Sequence, residues 1–194
     1  MRRQSVSASI ALVCASVAPR SVRADEPGRS ELEGALLAGP TGFVDPQSRA
    51  LLSTGAALEL RVGAECTRWI WYELTYAASL HTINDPEIAT GTMRGMSVEL
   101  GVRINLTSTA ARPYVAAGLG ETYYRVTGWR ANTTMSILDY VTHVPIAVGI
   151  SGRRGRTFFD LRGSYRFAFD VKLIDGEHDR LDTWRVVVGA GFEL

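Results

Sequence analysis

The sequence predicts an all-β fold, an eight-stranded antiparallel up-and-down transmembrane β-barrel. Eight segments alternate apolar and polar residues with a period of two, and their connections alternate between long and short. No run of about 18 apolar residues, the length of a spanning helix, occurs after the N-terminal segment. The last segment, 184–194, ends on an apolar position at Leu194. We expect this strand to pair with the first and close the barrel.

The N-terminal residues have the pattern of a cleaved secretory signal peptide. Arg2 and Arg3 precede a mostly apolar run, and a small-residue cleavage site follows it at Ala24. We expect the chain to divide into a signal peptide at 1–24, a short periplasmic segment at 25–30 and the barrel at 31–194.

Charge and cysteine content limit the possible partners of the mature chain. The full chain has 21 basic and 20 acidic residues, and the first 24 residues contain four arginines and no acid. The mature chain therefore has 17 basic against 20 acidic residues, a net charge of −3, and we expect no nucleic-acid partner. Cys14 leaves with the signal peptide, so Cys66 has no partner for an intramolecular disulfide.

The first four strands are assigned from their alternating faces. Residues 31–39 have the weakest alternating pattern. Residues 57–62 alternate strictly, with Leu58, Leu60 and Val62 on one face and Glu59 and Arg61 on the other. The third segment, 69–80, presents an apolar face opposite Trp69, Trp71, Glu73 and Thr75, and the fourth, 96–106, presents one opposite small, polar and charged residues.

The last four strands follow the same rule. Small residues in 113–126 blur the two faces, but 138–150, 159–169 and 184–194 alternate over 11 to 13 residues. Strands of this length can cross a hydrocarbon core when tilted, and they exceed the usual globular strand of about five or six residues. Pro145 interrupts the sixth segment, where its missing N–H should cause a bulge or a local gap in the hydrogen-bond ladder.

The connections between these segments alternate in length. The long polar connections are 39–50, 81–92, 127–136 and 171–182, and the short ones are 63–67, 107–112 and 151–156. Membrane barrels have long loops outside and short turns on the periplasmic side. A Greek-key sandwich gives no reason for this alternation.

Alternation alone does not determine which face of the barrel contacts water. A soluble lipocalin-like barrel would turn its apolar face inward around a ligand. The membrane arrangement is favoured by the mixed charges and glycines on the polar face and by aromatic residues near the segment ends, as interfacial girdles require: Tyr140, Phe169, Trp184 and Phe192.

Three stretches resemble strand motifs of small bacterial outer-membrane β-barrel proteins, the group that includes the OmpA transmembrane domain, OmpX and OmpW. They are Arg112-Pro-Tyr-Val-Ala-Ala-Gly-Leu-Gly120, His143-Val-Pro-Ile-Ala-Val-Gly-Ile150 and Asp160-Leu-Arg-Gly-Ser-Tyr165. The ending is similar to the C-terminal assembly signal of these proteins, with Gly189, Phe192 and Leu194 at the matching positions, although Leu194 replaces their preferred Phe. The resemblance implies the outer membrane of a Gram-negative bacterium, with its lipids and the barrel assembly machinery as partners, and a monomer.

The polar face supplies the candidate site, a lumen polar network. Its predicted members are Glu59, Arg61, Glu73, Glu99, Arg103, Asp139, His143, Asp160, Arg162, Arg166, Arg185 and Glu193. An eight-stranded barrel is only wide enough to be filled by side chains. Since buried charges must be paired, we expect a salt-bridged plug, with a gated ion path as the alternative.

No catalytic, cofactor or metal site is predicted. His143, Asp139 and Ser164 could form a hydrolase triad only if they converged, so a structural histidine is preferred. The loop 175–179 and the group of His81, Asp85 and Glu87 lack the ordered spacing of a calcium loop, so solvated polar loops are preferred.

The remaining features indicate function only weakly. Trp129 in the third loop could contact a partner, and Cys66 is read as an inert thiol. The favoured hypothesis is a non-enzymatic protein of envelope structure or of surface binding through its outer loops. The alternatives are a narrow conduit for small or apolar solutes, a lipid-modifying barrel enzyme and a soluble periplasmic lipocalin-like binder.

Overall fold

Eight strands form one closed antiparallel sheet in this computed structural model, which describes residues 32–85, 89–127, 138–169 and 181–194. The strands are β1 Leu32–Phe43, β2 Gly55–Glu65, β3 Ile70–Asp85, β4 Ala89–Asn105, β5 Ala111–Thr127, β6 Leu138–Arg154, β7 Thr157–Phe169 and β8 Thr183–Glu193. Each pairs with its neighbours in sequence, and β1 also pairs with β8 from Glu33↔Glu193 to Phe43↔Thr183. The predicted up-and-down barrel is confirmed. The predicted signal peptide and the segment 25–30 lie outside the described residues.

The barrel has two distinct ends. The three short connections, 66–69, 106–110 and 155–156, lie at the end where β1 begins and β8 finishes. We call this the turn end. The opposite end, where β1 leads to β2, β3 to β4, β5 to β6 and β7 to β8, is the loop end. Three of the four loop-end connections, 44–54, 128–137 and 170–182, are long as predicted, whereas the β3–β4 connection, 86–88, is shorter than 66–69 and 106–110.

Several predicted strand limits were wrong, because the ladder continues past the apolar pattern. β3 and β4 stay paired out to Asp85↔Ala89, inside the predicted loop 81–92. At the turn end, β6 pairs with β7 as far as Arg154↔Thr157, so only Gly155 and Arg156 remain of the predicted turn 151–156. Gly155 has a φ of +65°, which glycine adopts without steric cost in a two-residue hairpin.

The predicted loop 39–50 also contains regular structure, since β1 extends to Phe43 and a short helix α1, Pro46–Leu51, follows. The Asp45 carboxylate accepts a hydrogen bond from the Ser48 N–H at 2.8 Å and caps the helix, whose first position is proline. Among the residues that the structure describes, no helix has the length and hydrophobicity needed to span a bilayer.

The outer surface of the barrel is apolar. Large aliphatic side chains are exposed around its circumference, among them Leu36, Leu60, Leu74, Leu100, Leu119, Val148, Leu161 and Val188. Exposed aromatic residues lie toward both ends, with Tyr140 and Phe169 near the loop end and Phe159 and Phe192 near the turn end. Apolar residues face outward and charged residues inward, which is the reverse of a lipocalin-like barrel.

Proline interrupts the sheet at Pro145 as a gap rather than a bulge. Pairing of β5 with β6 stops after Ala117↔Ile146 and resumes at Gly120↔His143 in the same register. The predicted disturbance of the ladder is thus confirmed, and it takes the form of missing pairs without an extra residue.

Candidate functional site

The barrel interior holds the predicted polar network. Ten of its twelve predicted members are buried there: Glu59, Arg61, Glu73, Glu99, Arg103, His143, Asp160, Arg162, Arg166 and Arg185. Glu193 is half-buried at the turn end. Asp139 lies in β6, but its side chain is outside the described part of the chain. Strand alternation brings residues from distant parts of the sequence to one inner surface.

Glu73 on β3 is the centre of the network. Its carboxylate lies 2.7 Å from Arg162 Nη1, 3.1 Å from Arg103 Nη1 and 3.5 Å from Arg61 Nε. The three arginines come from β7, β4 and β2, so one acid joins four strands. Arg162 donates a hydrogen bond to Glu73 Oε2, whereas Arg103 and Arg61 contact Oε1 as ion pairs only. Removing the shared carboxylate would leave three buried positive charges without it.

A second group spans the middle of the barrel. Arg61 and Arg185 reach across to carboxylates of other strands: Arg61 Nη2 pairs with Asp160, and Arg185 Nη1 lies 3.1 Å from Glu59 Oε2. The buried Tyr114 hydroxyl donates a hydrogen bond to Asp160 at 2.7 Å. The phenol thus occupies a second acceptor site of a carboxylate that Arg61 already neutralises.

The turn end contains two members that the sequence analysis missed, Glu33 and Arg153. Glu33 Oε1 lies 2.5 Å from Arg103 Nη1, and Glu33 Oε2 lies 2.8 Å from Arg153 Nη2. Arg153 also pairs with Glu193, which is directly opposite Glu33 across the β1–β8 seam. One guanidinium therefore joins two carboxylates that would otherwise repel each other at the closure of the barrel.

One of the two missed residues, Arg153, had a signal in the sequence. The predicted inward set contained six acids and five bases, which left one acid without a partner. Continuing the alternation of β6 past Ile150 places Arg153 inward and supplies the missing base. In the described residues, the ion pairs join six carboxylates to six guanidinium groups.

Aromatic rings line the same region. The Arg103 guanidinium carbon lies 4.9 Å from the ring centroid of the fully buried Trp71, and that of Arg153 lies 5.5 Å from it. Both contacts are within the range of cation–π attraction. The rings fill space that water would otherwise occupy and still interact favourably with the charged groups.

Nearer the loop end than the ion pairs of Glu73, Glu99 contacts two bases. Arg166 Nη2 lies 2.7 Å from Glu99 Oε1, and His143 Nε2 lies 3.4 Å from the same oxygen. The other ring nitrogen of His143 faces the Thr122 hydroxyl at 3.4 Å. We call the whole ion-paired region, which extends along the barrel axis from Glu33 at the turn end to Glu99 and its partners, the ionic interior.

The inner surface becomes apolar at the loop end. Phe43, Met93, Tyr124, Val141 and Leu181 pack into one buried cluster, which we call the apolar cap. The ring of the buried His81 lies 4.9 Å from that of Phe43, and its Nδ1 is 3.1 Å from the Ser53 carbonyl oxygen. His81 is therefore held within the barrel and is not a solvated loop residue as predicted.

Little open space remains inside. A cavity of about 10 Å³ lies beside Pro145 and is bordered by Glu73, Glu99 and Arg162. This volume is about that needed by one water molecule. It coincides with the gap that Pro145 makes in the β5–β6 ladder.

The residues weighed for other sites do not form one in the described structure. Ser164 Oγ accepts a hydrogen bond from Arg166 at 3.3 Å and stands on β7 four residues from Ala168, the partner of His143, so serine and histidine do not meet. No group of three or more His, Cys, Asp or Glu side chains suited to a metal ion occurs in the described residues. Cys66 is an exposed free thiol. The loop 175–179 and Trp129 lie outside the described residues.

Comparisons with known proteins place this fold among small outer-membrane barrels. No family model and no curated protein matches the chain. Neisserial surface protein A matches with a TM-score of 0.64 at 10% identity, covering 86% of this chain and 99% of that one. OprG of Pseudomonas aeruginosa matches at 0.55, with 11% identity and coverage of 85% and 97%. Ail, the attachment invasion locus protein of Yersinia pestis, matches at 0.52, with 13% identity and coverage of 85% and 97%.

These similarities establish a shared fold. They confirm the resemblance to small outer-membrane barrels that the strand motifs indicated. At 10 to 13% identity they do not carry any residue's role from those proteins to this chain.

Proposed function

We propose that this chain is a sealed, non-enzymatic barrel of the outer membrane of a Gram-negative bacterium, acting in envelope structure or in surface binding through its loop end. In this proposal residues 1–24 are a cleaved signal peptide, 25–30 are a short periplasmic segment, and the barrel is a monomer. Gly189, Phe192 and Leu194 are the signal for the barrel assembly machinery.

The outer surface supports a membrane location. An aliphatic belt between two levels of exposed aromatic residues is the pattern of a transmembrane barrel. In water, side chains as exposed as Leu119 at 65% and Val148 at 60% would form a large unfavourable apolar surface. In a bilayer, the same apolar surface contacts acyl chains and carries no such cost.

The filled interior is the observation that carries the proposal against its alternatives. A conduit needs continuous open space, whereas the ionic interior and the apolar cap occupy the lumen of the described barrel. An enzyme acting on lipids needs reactive groups at a lipid-accessible surface, whereas His143 and Ser164 face inward among ion pairs. The outer surface and the loop end are therefore the parts of the barrel available to other molecules.

Two structural neighbours agree with a role at the cell surface. One is named a surface protein, and the other is an attachment invasion locus protein that was also crystallised with the heparin analogue sucrose octasulfate. For this chain, binding of a partner through the loop end is part of the proposal.

Fractionation and electrical recording test the proposal together. The protein should stay in the outer-membrane fraction after urea and carbonate washes and should migrate differently on a gel before and after boiling, because a closed barrel resists detergent. Reconstituted in a planar bilayer, it should give no discrete conductance steps. Recovery in the soluble fraction would contradict the membrane barrel, and reproducible steps would contradict the sealed lumen.

A further inference from the structure

Charged side chains interrupt the apolar outer surface at one place near the loop end. Away from the turn end, the charged residues that face outward from the described strands are Arg94 on β4 and Glu121 and Arg125 on β5. Arg94 and Arg125 are directly opposite each other in the β4–β5 ladder, and both side chains are exposed. Two positive charges therefore lie side by side on the outer surface of the barrel.

This arrangement is unfavourable without an anion. Side chains directly opposite on neighbouring antiparallel strands have Cβ atoms about 4.5–5.5 Å apart, and like charges there repel. Neither arginine has an ion-pair partner among the described residues. Glu121 is four residues from Arg125 along β5, about 13 Å at the rise of a strand, and it faces Val98 and Thr142.

The surroundings of the pair indicate the level at which it lies in a membrane. Tyr123, the next outward residue of β5, packs against Tyr140 in a tilted arrangement with ring centroids 5.2 Å apart and is opposite Met96. Beyond Met96 the outward face of β4 continues with Val98 and Leu100. Outward-facing tyrosines are typical of the headgroup level, so the two arginines lie at the headgroups and the aliphatic residues at the acyl chains.

We infer that Arg94 and Arg125 bind a phosphate of a phosphorylated glycolipid in the leaflet at the loop end. Two guanidinium forks can donate to separate oxygens of one phosphate, and this relieves their mutual repulsion. Met96 and Leu100 contact the acyl chains of the same lipid. The inference rests on the proposed function, because it requires the barrel to span the outer membrane with its loop end outward.

The test uses the full chain in nanodiscs of zwitterionic phosphatidylcholine that contain a small fraction of lipid A. Native mass spectrometry measures the retained lipid for bisphosphorylated lipid A and for lipid A without its phosphates. The variants are Arg94→Gln, Arg125→Gln and the double substitution. Arg156→Gln, in the exposed two-residue turn at the opposite end, is the matched control.

We expect the wild-type chain to retain bisphosphorylated lipid A about tenfold more strongly than the dephosphorylated form, since charge-assisted hydrogen bonds to phosphate are of that order. Each single variant should lose part of this preference, the double variant should lose all of it, and Arg156→Gln should keep it. Unchanged preference in the double variant overturns the inference. Complete displacement of the lipid by millimolar inorganic phosphate also overturns it, because the site would then bind the free anion.

The two proposals fail in different ways. Heat-modifiable migration is measured first, on the wild-type chain and on each variant. A wild-type chain that does not fold into the bilayer contradicts the proposed function and the lipid site together. A folded wild-type barrel without preference for phosphorylated lipid contradicts the lipid site alone.

Discussion

The inner surface of this barrel is packed in two different ways along its length. From the turn end to the middle, the ionic interior joins six carboxylates to six guanidinium groups in the described residues. At the loop end, the same inward face carries the apolar cap of Phe43, Met93, Tyr124, Val141 and Leu181. The fold is identical in both regions, so the difference lies entirely in side-chain chemistry.

The two regions depend differently on exact geometry. A buried charge is tolerated only with a partner at hydrogen-bond distance, so each ion pair favours one arrangement of the strands that carry it. Apolar side chains pack in many related ways and lose little when neighbours shift. We infer that the ionic interior helps to fix register and closure, whereas the apolar cap excludes water above it.

The largest effect is expected from removing the acid at the centre of the ionic interior. Glu73→Gln leaves Arg61, Arg103 and Arg162 without the carboxylate that they share, and a buried pair broken in this way costs about 3–5 kcal/mol. Urea unfolding in lipid vesicles measures the loss. Glu121→Gln, the same change on the outward face of β5, should not lower the free energy of unfolding, because it removes a charge that lies opposite Val98 on the lipid-facing surface. Equal effects of the two substitutions would show that the ion pairs do not stabilise the barrel.

A second test asks whether arginine is accepted only on the inner face. Val148→Arg places a guanidinium on the outward face of β6, where Val148 is 60% exposed. A lipid-facing arginine near the midplane should reduce stability by about 2–4 kcal/mol, whereas Thr82→Arg near the loop end should cost about 0–1 kcal/mol. The same unfolding assay compares the two variants. A Val148→Arg barrel as stable as wild type would contradict the assignment of this face to lipid.

The ionic interior was largely predictable from the sequence. Strict alternation fixes which side of the sheet each residue faces, so Arg61, Glu73 and Arg103 are assigned inward by counting alone. Which acid pairs with which base was not predictable, because that depends on the stagger of strands around a closed barrel. Glu33 and Arg153 were missed because one stands in the weakest predicted strand and the other in a predicted turn.

The apolar cap was only partly predictable by the same rule, which covers Tyr124 and Val141 in predicted strands but not the other three members. Phe43 falls in a predicted loop, as do His81 and Leu181, and Met93 follows the predicted loop 81–92 directly. Beyond the lipid belt the outward residues become polar while inward residues become apolar, so the alternation that marks the strands fades. The backbone ladders show that His81, Met93 and Phe43 still belong to the barrel, since β3 pairs with β4 out to Asp85↔Ala89 and β1 pairs with β8 out to Phe43↔Thr183.

A moderate effect is expected in the apolar cap. Met93→Ala removes a side chain that is 5% exposed and should lower the free energy of unfolding by about 2 kcal/mol, at the lower end for such truncations because the end of a barrel can relax. Met96→Ala, on the outward face of the same strand at 52% exposure, should cost much less, since lipid fills the space. Thermal unfolding in detergent and in lipid measures both. Conductance in the Met93→Ala barrel should remain absent, because the ionic interior still fills the lumen; regular conductance steps would show that the cap alone seals it.

The smallest effect concerns the ionic interior itself, where Pro145 leaves a gap in the ladder beside a cavity of about 10 Å³. Pro145→Ala restores an N–H that can donate to β5, which should stabilise the barrel by about 0.5–1.5 kcal/mol, the net value of one hydrogen bond. Pro113→Ala is the matched control, because Pro113 pairs with Ile150 in an unbroken part of the same ladder. Amide hydrogen exchange across Gly118 to Gly120 should slow in the first variant and not in the second. If Pro145→Ala instead lowers stability or speeds exchange, the gap is not a missing hydrogen bond but a site where the proline ring itself packs against Glu73, Glu99 and Arg162. The ionic interior would then depend on apolar packing at this point, as the apolar cap does throughout.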